Sequence, residues 1–167
     1  WHKEHDNREL KNIVVTGMGG SALSALLAKV WLKENLNIPF EVIRGYDLPA
    51  YVNRNTLVIA SSYSGNTEET ISALEQAEKV GAQLGVIASG GKLIDIACEF
   101  QIAHVSLPGG IQPRMTVLYG LRALVALLEN FGIIHKKLQE IEELTGWLGR
   151  ESTRWAADVG TEDNYAK

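Results

Sequence analysis

Apolar residues along this chain alternate between two kinds of spacing. "NIVVTG" (12–17) is a β-branched run that stops at the glycines of "GMGG". "SALSALLAKVWLKENL" follows, with Leu23, Leu26, Leu27, Val30 and Trp31 at helical spacing. "FEVIRG" (40–45), "TLVIASSY" (56–63), "QLGVIAS" (83–89) and "QIAHVSLP" (101–108) read as four further strands. Between them, "TEETISALEQAEKVG" is an amphipathic helix stopped by Gly81, and "KLIDIACEF" a short one. A long apolar helix is expected from about Pro113 to Phe131.

Strands without strict alternation, separated by helices, indicate a parallel sheet covered on both faces. The predicted fold class is therefore α/β, a doubly wound five-stranded parallel sheet of the flavodoxin-like kind. In that layout ligands bind beyond the carboxyl ends of the strands. Both "GMGGS" and "SSYSGNT" fall at such ends.

From Ile134 the pattern changes. Ile134, Leu138, Ile141, Leu144 and Leu148 share one helical face with charges opposite, and "ESTRWAADVGTEDNYAK" is polar with no further strand. The expected organisation is a lead segment (1–11), one ligand-binding domain (12–133) and a helical extension (134–167) suited to a linker or a dimer contact. A start at Trp1 and an end on "NYAK" read as a piece of something longer.

Composition narrows the classes. A net charge of −4 with acids and bases interspersed argues against a general binder of nucleic acid or anionic membrane. One small anion site remains open, since it needs only local donors. The most apolar stretch, "VLYGLRALVALLENFG", is broken by Arg122 and reads as a buried helix, and no signal peptide is visible. Cys98 stands alone in the apolar context "LIDIACEF", so it is expected to be a buried thiol. It allows no disulfide framework or cysteine metal set, which makes a reducing cytoplasm the default.

Two loops carry candidate chemistry. Gly17, Gly19 and Ala22 of "GMGGSA" match a dinucleotide fingerprint. That fingerprint also wants an acid closing the second strand, where this chain has Arg44 and Gly45. A tight strand-to-helix turn explains the glycines structurally. An anion site explains Ser21 as well, because it adds a hydroxyl where backbone N–H groups point outward. In "SSYSGNTEET", Asn66 and Glu69 have capping-box spacing. Capping leaves the remaining hydroxyls over. Ser62, Ser64 and Thr67 around Gly65 suit one tetrahedral anion at the positive end of the following helix.

Arg114 follows "SLPGGIQP" at an expected helix start, where a cation opposes the dipole and needs compensation such as a bound anion. His104 reads as a sheet residue, and His2, His5 and His135 fall on no motif. Glu68 and Glu69 read as first-turn acids.

Strand–"GMGGSA"–helix followed by strand–"SSYSGNTEET"–helix resembles the sugar isomerase (SIS) phosphosugar-binding fold. Together "IPFEVIRGYDLPAYV", "SYSGNTEET" and "LPGGIQPR" resemble bacterial and archaeal bifunctional phosphoglucose/phosphomannose isomerases, over residues 12 to 132. The resemblance implies a phosphate-binding set of Gly20, Ser21, Ser62, Ser64 and Thr67, with Arg114 as an active-site arginine beside the sugar. It implies hexose 6-phosphate substrates, no cofactor, a homodimer, and no nucleic acid or membrane partner. It also implies a glutamate base and a ring-opening histidine from a second, similar domain beyond Lys167. Two other classes stay open: a regulatory SIS module that senses a phosphosugar, and an NAD(P)-binding Rossmann domain.

Overall fold

In a computed structural model, residues 8–162 and 164 can be described. They contain β1 (Asn12–Gly17), α1 (Gly19–Trp31), β2 (Phe40–Ile43), β3 (Thr56–Ser61), α2 (Glu68–Lys79) and β4 (Gln83–Ala88). Then follow α3 (Gly91–Glu99), β5 (Ala103–Ser106), a single 3-10 turn (Pro113–Met115), α4 (Val117–Asn130) and α5 (Lys137–Arg154). The five strands form one parallel sheet in the order β2-β1-β3-β4-β5. This is the doubly wound, flavodoxin-like arrangement expected, with its topological switch between β1 and β3.

The pleat explains why the central strands are apolar throughout. Val14, Val58, Ala60, Val86 and Ala88 point toward α2 and α3, where Ile71, Leu74, Ala77, Leu93 and Ala97 meet them. Their neighbours Ile13, Val15, Leu57, Ile59 and Ile87 face the opposite way and are equally buried. Burial on both faces removes the alternation that a one-sided sheet would show.

Helix α1 departs from the expected orientation. Its buried residues are Ala22, Ser24, Ala25 and Ala28, while Leu23, Leu27 and Val30 are exposed. The reason is close packing against α4: the Ser24 hydroxyl donates to the Val117 carbonyl at 2.8 Å. A Cβ on Gly120 would stand only 2.5 Å from that same hydroxyl. Small residues buy the close approach, and the leucines are left outside.

The expected long helix from Pro113 is also divided. Thr116 separates the 3-10 turn from α4, and its hydroxyl and N–H both return to the Pro113 carbonyl. Cys98 is exposed rather than buried, because Leu93 and Ala97 occupy the inner face of α3. No described helix is long and apolar enough to cross a membrane.

Contacts divide the chain into two compact units, one ending at Ile134 and one starting at His135. In the second unit, α5 buries no residue and exposes Leu144, Trp147 and Leu148. Trp147 meets Trp155 edge-on at 6.3 Å between ring centroids.

Candidate functional site

The carboxyl ends of β1, β3 and β4 open into a cluster of hydroxyl groups. Beyond β3 the backbone stays anchored to the β4 side: Ser62 N–H donates to the Ile87 carbonyl and Ser89 N–H to the Tyr63 carbonyl. The Ser89 hydroxyl donates to that Tyr63 carbonyl as well, at 2.6 Å. The loop then turns at Gly65, whose φ of +70° places it in the left-handed region. A Cβ there would lie 1.7 Å from the Gly90 carbonyl oxygen, so only glycine fits.

This turn folds three hydroxyls inward. Ser62 Oγ lies 2.7 Å from Thr67 Oγ1 and 3.5 Å from Ser64 Oγ. Ser62 Oγ also accepts from Gly65 N–H at 3.2 Å, and Ser64 Oγ accepts from Asn66 N–H at 3.3 Å. Ser62 is buried, Thr67 half-buried and Ser64 exposed, which gives the cluster a floor and an open mouth.

The capping box expected from Asn66 and Glu69 is absent. Thr67 is the N-cap of α2 and makes no side-chain cap hydrogen bond. Asn66 is turned away: its Oδ1 accepts from Lys92 N–H at 3.0 Å, serving the start of α3 instead. Among the described residues no side chain caps the first N–H groups of α2, which leaves them available to an anion beside the three hydroxyls. Glu68 and Glu69 occupy the first turn. Charge on Glu69, then burial, then Glu68 raise the neighbouring Tyr46 phenol above its ordinary range.

The glycine-rich loop closes a second side. Gly19 and Gly20 lie in the first turn of α1 rather than before it. A Cβ on Gly20 would meet the Pro113 carbonyl oxygen at 2.9 Å and the Arg114 Cα at 3.9 Å. Absence of a side chain at Gly20 thus lets the arginine segment come in against α1. Ser21 Oγ accepts from Tyr63 N–H at 3.2 Å, tying this loop to the serine loop.

Arg114 sits in the exposed 3-10 turn, not in the first turn of α4. So short a turn has little dipole to oppose, and the expected conflict with a helix end falls away. Among the described residues it has no hydrogen-bond or ion-pair partner. His104 stays in β5 with Nδ1 2.9 Å from the Ile102 carbonyl, and His135 belongs to the second unit. His2 and His5 lie outside the described residues.

Residues 8–102 match the SIS domain family, more than half of the chain. The chain belongs to the SIS domain family. This SIS domain is 41% identical over 159 residues to a bifunctional phosphoglucose/phosphomannose isomerase of Caldicellulosiruptor bescii, covering 95% of the chain and 47% of that protein. It is 33% identical over 151 residues to a D-glucosamine-6-phosphate 4-epimerase of Sulfolobus acidocaldarius, covering 87% of the chain and 48% of that protein. Among solved structures, it resembles the C-terminal domain of a glucosamine-fructose-6-phosphate aminotransferase from Francisella tularensis. The TM-score is 0.62 at 20% identity, over 87% of this chain and 43% of that one. That likeness speaks to fold alone. The SIS domain spans about half the length of the curated relatives it matches.

Proposed function

We propose that this SIS domain is the phosphosugar-binding half of a cofactor-independent aldose–ketose isomerase. The whole isomerase would interconvert glucose 6-phosphate or mannose 6-phosphate with fructose 6-phosphate. The observation that carries this reading is the ring of Ser62, Ser64 and Thr67 at an α2 N-terminus without a side-chain cap. A phosphate monoester offers several acceptor oxygens and negative charge, and both match that ring and the helix end. Gly20 and Ser21 extend the cradle, and Arg114 supplies a cation beside the sugar.

The division of labour follows from what each group can do. Isomerisation moves a proton between C2 and C1 through a cis-enediolate. It needs a base, an acid to open the ring and a cation for the oxyanion. Phosphate binding anchors the substrate without lowering the chemical barrier by itself. Arg114 fits the oxyanion role. The base and the ring-opening group are assigned to a second SIS domain beyond Lys167, with residues 134–167 as the link toward it. Residues 12–133 are the phosphosugar-binding domain.

Exposed apolar residues on the neighbouring helices α1 and α4 support a partner there: Leu23, Leu27, Val30, Leu118 and Tyr119. That partner is read as the second SIS domain, within a homodimeric cytoplasmic protein. Calorimetric titration of the chain with hexose 6-phosphates, free hexose and inorganic phosphate tests the reading. Saturable binding of the phosphorylated sugars is expected, with none of free hexose. The chain alone should give no turnover in a coupled assay for fructose 6-phosphate. Absence of phosphosugar binding would overturn the proposal. The kinship to a 4-epimerase favours one second reading, an amino-sugar phosphate substrate, and titration with glucosamine 6-phosphate separates the two.

A further inference from the structure

Tyr63 sits between two hydroxyl residues of the anion loop, and its side chain is engaged elsewhere. Its phenol donates to the Pro108 carbonyl at 3.0 Å and accepts from the Ile111 N–H at 2.9 Å. One oxygen thus closes the segment that contains Gly109 and Gly110, two residues with no side chain to hold them. Among the described residues, these two hydrogen bonds are the only ones recorded to residues 108–111.

The backbone of Tyr63 is held by three hydrogen bonds. Its N–H donates to Ser21 Oγ, and its carbonyl accepts from both the N–H and the hydroxyl of Ser89. Three residues past Ile111 comes Arg114. The intervening chain is short and already tight, with Met115 N–H on the Gln112 carbonyl and Pro113 backed against Gly20. Fixing Ile111 from one side and Pro113 from the other leaves the Arg114 backbone little freedom.

We propose that Tyr63 is a positioning residue: its phenol sets the place of Arg114 relative to the hydroxyl ring through the 108–111 segment. The inference rests on the phosphosugar reading given above. The alternation of the loop accounts for the division of roles. Ser62 and Ser64 serve the anion, and the residue between them reaches across to the segment that carries the cation.

Tyr63→Phe keeps the ring and removes only the phenol oxygen. Calorimetry on the full chain compares wild type, Tyr63→Phe, Arg114→Ala and the double variant, each with inorganic phosphate and with fructose 6-phosphate. Inorganic phosphate affinity is expected to be unchanged by Tyr63→Phe. Fructose 6-phosphate affinity should fall roughly three- to tenfold, the scale of a lost hydrogen bond. In the Arg114→Ala background, Tyr63→Phe should cost no further affinity, since the two act as one unit. A merely structural role would lower both affinities, or add its loss to that of Arg114→Ala; either result overturns the proposal. If wild type binds neither ligand, it is the phosphosugar reading that fails. Hydrogen exchange at Ile111 needs no ligand and no variant. Its amide should be protected in the wild type, and exchange at the rate of an open loop would remove the tether.

Discussion

Gly65→Ala is the substitution with the sharpest expected penalty. An alanine at φ +70° costs about 1–2 kcal/mol for the left-handed conformation alone. Its Cβ would also fall 1.7 Å from the Gly90 carbonyl oxygen and 2.8 Å from the carbonyl carbon. Those are backbone atoms, so relief requires the 64–66 and 90–92 segments to move apart, with an overpacking cost of about 1–3 kcal/mol. The sum is about 2–5 kcal/mol, a large share of the 5–15 kcal/mol typical of a domain. For a chain of this size that corresponds to a fall of about 4–20 °C in thermal midpoint. Gly81 provides the control. Its φ is +71°, yet a Cβ there would meet nothing within 4 Å, so Gly81→Ala tests the conformational cost without the collision. Urea denaturation of both variants, with phosphosugar calorimetry on whatever remains folded, separates the two contributions. Gly65→Ala should lose more stability than Gly81→Ala and should also lose affinity, because Ser64 and Thr67 ride on the displaced turn. Equal losses in the two variants would refute the collision, and with it the account of how the turn is held.

Four further outcomes are expected. Ser64→Ala should weaken hexose 6-phosphates by about 1.5–3 kcal/mol, roughly ten- to a hundredfold, with the thermal midpoint unchanged; calorimetry and a melting curve check both halves. Asn66→Ala should cost about 0.5–2 kcal/mol in denaturation and speed exchange of the Lys92 amide, since it removes the cap on α3. The Tyr51 phenol is pushed up to about 12, by burial first and then by the hydrogen bond to Glu41 and its charge. Folding therefore favours the protonated phenol: that contribution is complete below the ordinary value of 10.0 and is lost as pH climbs to about 12. Denaturation across that window should show the decline, flattened in Tyr51→Phe. NADH and NADPH should not bind saturably in fluorescence titration, because β2 closes on Ile43 with Arg44 and Gly45 after it rather than an acid.

Strand positions and the parallel sheet were legible because each apolar run is short, β-branched and bounded by glycine or polar turns. The hydroxyls were legible as a group because they outnumber what one cap consumes. Other features were not local. The buried face of α1 depends on Gly120, distant in sequence, which makes a close helix pair possible and turns Leu23 and Leu27 outward. Asn66 looked like a cap for the next helix but serves α3, a partner that no spacing rule within one segment could find. Thr116 breaks an apolar stretch that reads as continuous, because its hydroxyl competes for the Pro113 carbonyl. Tyr63 could have been suspected from its place between two inward-facing serines, where alternation sends a side chain the other way. What it grips had to come from the fold.

The strand order has a consequence for how the molecule assembles. Every neighbouring pair in the sheet is parallel, so no hairpin can form first and template the rest. The central pair joins Asn12 to Thr56 and Gly17 to Ser61, and it must close over a whole intervening helix and the edge strand β2. Loop-closure entropy is therefore met before the contacts that reward it, which slows folding relative to a helical bundle of similar stability. The serine loop hangs from β3, the glycine-rich loop from β1, and Ser89 follows β4. A chain in which only neighbouring segments have collapsed can form the hydroxyl ring at the start of α2 but lacks the glycine-rich side of the cradle. The complete cradle, with Ser21 tied to the Tyr63 N–H, should then arrive in refolding together with β1–β3 pairing, making full anion affinity a reporter of that long-range event.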